Sequence, residues 1–394
     1  MCLSMIKIIL TILLCFLANT SFAGYSYYRS IQVNGAGTAC SGSACVNNGS
    51  GSLTQFPILV CGNGSNACTA SVSGMNQTGG GAHVQNSNGY DIIFTTDSGC
   101  TTKLTWEMES YNASTGEFEA WVTNTSTALS GTANTTFYMC YGNPAISTFQ
   151  GGSVGSAWNS NYVAVYHMAS IGTDSTSNGY TLSNSATTAT AGQIDGAGSF
   201  NAGSPSTLST SSASVPNGNS AFSFGQWIYT SSVPPYLAAF SFIDGDVNSR
   251  GLISHGGAGY DIYFWNNVGG DYDTGVAYDI GAWQYIVITF DGSNLKVYKN
   301  GSQIGSTVSR SFSGGDGASI TFGGNPNWTY VTYLLDEYEL YNIAIPAGWI
   351  ATEYNNQSIP ATFYTMGAEQ SNGPVIHTNL IRGVSKISGV SLIN

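Results

Sequence analysis

The side chains in this sequence best suited to chemistry are carboxylates in two short runs, Glu107-Met108-Glu109 and Asp336-Glu337-Tyr338-Glu339. Glycoside hydrolysis needs two carboxyl groups facing each other across a sugar, about 5–5.5 Å apart for retention and further for inversion. Read as a strand, the second run puts Glu337 and Glu339 on one face and Asp336 on the other. Glu107 and Glu109 also share a face, but opposite the apolar stripe Leu104, Trp106 and Met108, so they read as the solvated side of a half-buried strand. The four histidines form no triad. His83 and His377 lie in polar loop or tail, His255 lies in a Gly-rich turn, and His167, inside an apolar strand, reads as a hydrogen-bonded core residue. HExxH and phosphate-loop patterns are absent. The chain reads as non-catalytic, with a glycoside hydrolase as the alternative from enzyme chemistry.

Binding chemistry has more candidates. A sugar offers hydroxyls to amides and a C–H face that packs flat on an aromatic ring, so a binding platform is an exposed aromatic flanked by Asn or Asp. Trp328 follows Asn325-Pro326-Asn327 in a Gly/Asn/Pro loop, where it reads equally as a sugar platform or as a loop anchor. Trp265 ends a strand pattern and runs into Asn266-Asn267, which fits either core or platform, whereas Trp227 and Trp283 stand inside strand patterns and read as core. Two aspartate-rich turns, 244–248 and 271–273, begin like calcium loops. Their sixth positions are Ser249 and Val276 where Gly is needed, and their twelfth are His255 and Ala282 where Glu is needed.

The elements that must position these residues come from a chain of 394 residues, long enough for two domains, with only 8% charged residues and 50 glycines. Nine Lys and Arg against 21 Asp and Glu exclude a nucleic-acid footprint, because nothing is left to neutralise a run of phosphates. Lys7, an apolar stretch over 8–18 that is too short to span a bilayer, and the small residues of Ser21-Phe22-Ala23 form a secretory signal over 1–23. The mature protein is therefore expected outside the cytoplasm, secreted or on the cell surface, with no transmembrane segment. Cys2 and Cys15 leave with the signal. Cys40, Cys45, Cys61, Cys68, Cys100 and Cys140 remain, all before residue 150, and an oxidising compartment makes them a disulfide set. Of the 15 possible pairings, the local closures Cys40–Cys45 and Cys61–Cys68 with Cys100–Cys140 are preferred. Zinc is disfavoured, His83 being the only nearby histidine.

Period-2 patterns recur along the rest. Residues 103–109 and 117–122 form a hairpin across a turn at 112–116, and 136–141 is a further strand. A Gly/Ser/Val stretch at 151–156 marks a domain boundary. Strands resume over 162–166, 222–229, 237–243, 260–265 and 283–290. The run 294–299 enters Asn300-Gly301, whose residues tolerate the positive φ of a type I′ hairpin turn. Later strands fall at 319–322 and 333–345, and one short helix is expected over about 347–355, with Trp349, Ile350 and Tyr354 on one side. The pattern is all-β, two antiparallel sandwiches.

Residues from about 25 to 142, with "LTWEMESYNASTGEFEAWV" and "FYMCYGNPAIS", resemble the DUF2341 domain of bacterial and archaeal surface proteins. Residues from about 157 to 367 resemble the concanavalin A-like lectin/glucanase (laminin-G-like) superfamily through "YVAVYHM", "DSTSNG", "GQIDGAGSFN", "WQYIVITFDGSNLKVYKNGSQIG", "LLDEYELYN" and "WIATEYNNQS". The second resemblance implies a jelly roll and one structural calcium, with Asp174 and Asp336 as its ligands. Glucanases of that superfamily carry alternating carboxylates, Glu-x-Asp-x-(x)-Glu, on the groove side, a pattern from which Asp336-Glu337-Tyr338-Glu339 departs, so no catalytic residues carry over. The expected organisation is a signal at 1–23, a disulfide-bonded sandwich at 24–150, a jelly roll at 157–367 and a flexible or attachment tail at 368–394. The expected function is binding of glycans or cell-surface polymers, or adhesion. The alternative is a self-associating surface-layer or appendage protein that uses the jelly roll as a packing unit.

Overall fold

A computed structural model of the chain describes residues 24–35, 45–47, 51–124, 126–201, 206–232, 238–243, 250–255, 260–266, 270–312, 319–323 and 332–372. The predicted signal, Cys40 and most of the predicted tail lie outside them. Among the described residues the protein is nearly all β, and every strand pair in its sheets is antiparallel.

The second lobe is a jelly roll of two sheets. One sheet runs in the order 183–185, 207–210, 320–323, 238–243, 250–255, 261–266, 272–277. The other runs 188–191, 196–200, 333–341, 222–230, 283–290, 294–299, 302–309, with Tyr162–Tyr166 also paired to Tyr333–Tyr341. Their facing sides enclose a core of Phe224, Ile228, Phe240, Leu252, Phe264, Ile288, Phe322 and Leu340. Asn300 and Gly301 both have positive φ, 51° and 79°, as a type I′ turn requires.

The first lobe is also a sandwich. Tyr27–Val33 lies beside Thr135–Tyr141, which pairs with Ile93–Thr95, and across from them stands a three-stranded sheet of Pro57–Gly62, Phe118–Thr123 and Thr105–Tyr111. Ile31, Phe94, Phe137, Ile58, Val60, Trp106 and Val122 fill the space between. The disulfides Cys61–Cys68 and Cys100–Cys140 staple this lobe, and Cys45 is also disulfide-bonded.

The lobes do not divide where the sequence patterns suggest. Tyr364–Met366 and Gln370–Ser371 return to pair with Tyr27–Val33, so this stretch belongs to the first lobe's sheet. The expected jelly-roll end at 367 and the tail start at 368 are corrected accordingly. The return is driven by burial, Phe363 and Tyr364 entering the first lobe's core.

A third apolar cluster joins the lobes. On Pro57–Gly62, Ile58 and Val60 face the first core, while Leu59 and Cys61 face outward onto Trp227, Tyr285, Val287 and Tyr341 of the jelly roll. A strand buried on both faces reads as a continuous apolar run, here Pro-Ile-Leu-Val-Cys. The helix Ala347–Ser358, longer than expected, lies against this seam and covers the edge of Pro57–Gly62. Asn356 accepts from the Leu59 N–H at 2.7 Å and donates to its carbonyl at 3.0 Å, and the Tyr364 hydroxyl meets the Cys61 N–H at 3.0 Å. Side chains thus complete an edge that would otherwise stay open.

Asn356→Ala leaves the buried Leu59 N–H and C=O without partners. At about 1–3 kcal/mol for each lost group, stability falls by about 2–4 kcal/mol, read as a lower urea midpoint.

Candidate functional site

Two β-bulges build the site. On Thr105–Tyr111 the pairing steps from Met108↔Ala120 to Ser110↔Glu119, leaving Glu109 as the extra residue. On Tyr333–Tyr341 it steps from Asp336↔Trp227 to Glu339↔Gly225, so Glu337 and Tyr338 both stand opposite Gln226. Glu337 takes a positive φ of 48°. An inserted residue re-aims its neighbours. Leu335 and Tyr338 both reach the jelly-roll core, while Asp336, Glu337 and Glu339 face the seam. The expectation that Asp336 faces away from Glu337 is therefore corrected. Strict alternation fails because the bulge sets two residues, Glu337 and Tyr338, against the single Gln226.

Glu107 and Glu109 meet these acids from the first lobe, and their reading as solvated surface is also corrected. The Glu109 side chain is 3% exposed because the jelly roll covers that face. His167 stands between the two sets. Its Nδ1 lies 2.7 Å from Glu337 Oε2 and 3.5 Å from Glu109 Oε2, and its Nε2 lies 3.7 Å from Glu107 Oε2. Trp121 stacks on the imidazole at 5.5 Å and donates its indole N–H to Glu109 at 2.8 Å. Glu107 accepts from the Trp158 indole and the Ser175 hydroxyl, each at 2.7 Å. Glu339 lies one step along, with Tyr341 donating to it and to Glu353, and Glu353 held by Trp349 at 2.6 Å.

Burial would push the imidazole down, but the charges of Glu109 and Glu107 and the hydrogen bond to Glu107 outweigh it and raise His167 to about 9. Burial raises Glu107 too, yet His167, Ser175 and Trp158 hold its carboxyl below the usual range. Glu109 is pushed well up by burial and by the charge of Glu337, and Glu337 by burial and Asp336. In this dry cluster burial and mutual repulsion thus favour the neutral form of Glu109 and Glu337 beside one imidazolium.

Beside it opens a pocket of about 420 Å³. Glu107 and Glu109 form part of its wall, with Tyr90, Phe149 and Asn88 opposing polar backbone from 152–156. Phe149, 36% exposed, sits edge-on to Tyr90 and Trp106. In the 151–156 stretch, expected as a domain boundary, Gly151 is buried while residues 152–154 are exposed. A Cβ on Gly151 would lie 2.3 Å from the Trp106 carbonyl, so only glycine fits there.

Trp328, Asn325, Asn327 and Asn267, expected to contact sugar, lie outside the described residues, as do residues 244–249 of the first aspartate-rich turn. Trp265 is half-buried on Asp261–Asn266, opposite Gly251. Asp174 and Asp336, the expected calcium ligands, belong to separate networks. Asp174 gives its oxygens to the N–H groups of Val165, Thr176 and Tyr180 and to the Thr176 hydroxyl, a donor set that suits a turn better than a cation. Asp336 accepts from the Ile194 N–H at 2.9 Å. Spacing does not reveal the Tyr90–Phe149 pocket, since its walls come from three separate stretches. The Pro-Ile-Leu-Val-Cys run is the one signal that the neighbouring sheet face was covered.

Glu119, on the same outer sheet face, is raised to about 8 by burial, opposed by the Ser110 hydroxyl and reinforced by Asp195 and Glu117. The folded state then keeps a proton that the unfolded chain, with an ordinary carboxyl near 4.5, has released. Stability is full below about pH 4.5 and falls as pH rises toward 8, by at most about 1.4 kcal/mol per pH unit. Glu119→Gln is expected to flatten thermal stability against pH across that window; a profile with the wild-type slope would contradict the assignment.

Residues 201–351 match the concanavalin A-like lectin/glucanases superfamily, laminin G type 3. A search of curated proteins finds no match. Among solved structures, domain 4 of an extracellular GH43 arabinanase from Geobacillus stearothermophilus, in complex with arabinotriose, is 20% identical with a TM-score of 0.42, over 48% of this chain and 96% of that domain. The binding domain of the paraclostridial mosquitocidal protein 1 is 18% identical at 0.37, and that of botulinum neurotoxin serotype G is 16% identical at 0.38. The match covers 49% of this chain in both cases, and 52% and 50% of those two domains, so this chain spans about half the length of each. The jelly roll of the second lobe is similar in sequence, over residues 201–351, to the concanavalin A-like lectin/glucanases superfamily.

Proposed function

We propose that this is an exported protein that binds glycans without cleaving them, through the pocket between Tyr90, Phe149 and the Glu107 wall. The observation that carries the reading is that pocket. It pairs an exposed ring with carboxylate and amide groups, the combination that grips a sugar by its C–H face and its hydroxyls. The pocket is built by residues 88–157, ahead of the jelly-roll strands, whose lectin-type fold supports glycan binding by the chain as a whole. Export is supported by the leader-like residues 1–23 and by two disulfides in the first lobe, which persist in oxidising compartments. Among the described residues no helix is long and apolar enough to cross a membrane. Assignment of the first lobe to the DUF2341 type, with a role at a cell surface, belongs to the same proposal.

A hydrolytic reading has one observation in its favour. Glu107 is held below and Glu109 above the usual carboxylate range, the split expected of a base and an acid. Against it, Glu109 is almost wholly covered and tied to Trp121, and the two acids rise side by side from one strand instead of facing across a sugar. The acids of 336–339 are shut into the seam.

Screened on a glycan array, the wild-type protein is expected to retain a defined set of sugars. Phe149→Ala and Tyr90→Ala are each expected to weaken that binding about tenfold, roughly 1.4 kcal/mol. Binding untouched by either change would move the site elsewhere, and release of reducing sugar from a bound glycan would replace binding with hydrolysis.

A further inference from the structure

We propose that Glu109, His167 and Glu337 hold one divalent cation of the zinc class at the seam between the lobes. The proposal is independent of the glycan reading. One ligand atom from each residue falls within 4.8 Å of the others. Ligand atoms each about 2.1 Å from a tetrahedral zinc stand about 3.4 Å apart. His167 Nδ1 lies 3.5 Å from Glu109 Oε2 and 2.7 Å from Glu337 Oε2, so both carboxyl groups stand at about that spacing, and the hydrogen bond to Glu337 gives way to the ion.

Unpartnered atoms supply the second observation. Glu109 Oε1, Glu337 Oε1 and Asp336 Oδ1 are all buried without a hydrogen-bond partner, on residues whose side chains are wholly or nearly wholly buried. Groups of that kind are costly to bury unless something else binds them. Each glutamate keeps one oxygen engaged, by Trp121 or by His167, and one free. Asp336, next to Glu337 in sequence, also carries an unpartnered oxygen but stands outside the group of three ligand atoms. With Nδ1 turned toward the ion, Nε2 faces Glu107, the orienting carboxylate that metal-bound histidines usually have behind them. Among the described residues no Lys or Arg pairs with any of these acids, and a divalent ion would take the place of the protons that burial leaves on them. The donors also choose the ion. Calcium takes six to eight oxygens, whereas one imidazole with two or three carboxylates in a closed, dry site suits zinc.

The test uses the purified full chain, stripped with chelator, dialysed separately against zinc, manganese or calcium and freed of unbound ion. Metal analysis is expected to find one zinc per chain. Glu337→Gln and His167→Gln should each lose it, while Glu107→Gln should keep the site with affinity weakened about 10–100-fold. Cobalt in place of zinc is expected to give the visible absorption of a tetrahedral N/O site, absent from Glu337→Gln; the near-ultraviolet dichroism of the seam tryptophans reports that the variants remain folded. If His167→Gln does not fold, Glu109→Gln replaces it. Retention of no ion, of calcium alone, or of undiminished zinc by the folded variants overturns the proposal.

Discussion

The structure turns on one arrangement, a sheet of each lobe buried on both faces. The outer face of the first lobe's three-stranded sheet lies directly on the outer face of the jelly roll's larger sheet, and Trp121, Leu59, Cys61, Trp227, Tyr285 and Tyr341 close the gap. Four β-layers then stack with three apolar fillings. Fully burying a side chain of this size contributes about 1.5–3 kcal/mol relative to exposure, so the two lobes have reason to act as one body. The helix Ala347–Ser358 and the returning strand Tyr364–Met366 tighten the stack from its edge, since both engage first-lobe backbone.

Such a seam excludes water from every polar group it traps. The amides of the helix meet that demand by bonding to backbone and to Trp227. The carboxylates meet it only in part. Six acids, Glu107, Glu109, Asp336, Glu337, Glu339 and Glu353, meet one imidazole, three indoles, tyrosine hydroxyls and the Ile194 N–H. A buried charge missing its partner costs several kcal/mol, which makes this the least forgiving part of the molecule. Two bulges, at Glu109 and at Glu337, aim their side chains into the same space from different lobes. Bulges disturb a ladder, and finding them here points to a use for the site they form.

The open pocket lies where the seam meets solvent, with Glu107 common to both. A ligand resting on Phe149 would touch a wall fixed in place by Trp158, Ser175 and His167, so pocket and cluster share a rigid support. This contrasts with a platform carried on a free loop, where binding must also pay for ordering the chain.

By itself the sequence determined the all-β class, the turn at Asn300-Gly301, the hairpin around 112–116, a helix near 347 and the burial of His167, because each follows from periodicity or from the φ preference of one or two residues. It also held the acids of the site in plain view. Only the tertiary structure decided which way they point and what covers them. Alternation along an isolated strand turns Glu109 to solvent and separates Asp336 from Glu337; an extra residue in each ladder and a second lobe laid over the face reverse both outcomes. The return of Tyr364–Ser371 to the first strand was equally hidden, for pairing between residues more than 300 positions apart leaves no local pattern to read. Burial of both faces is a property of the neighbour that arrives, and the strand's own residues carry no more than the faint trace seen in Pro-Ile-Leu-Val-Cys.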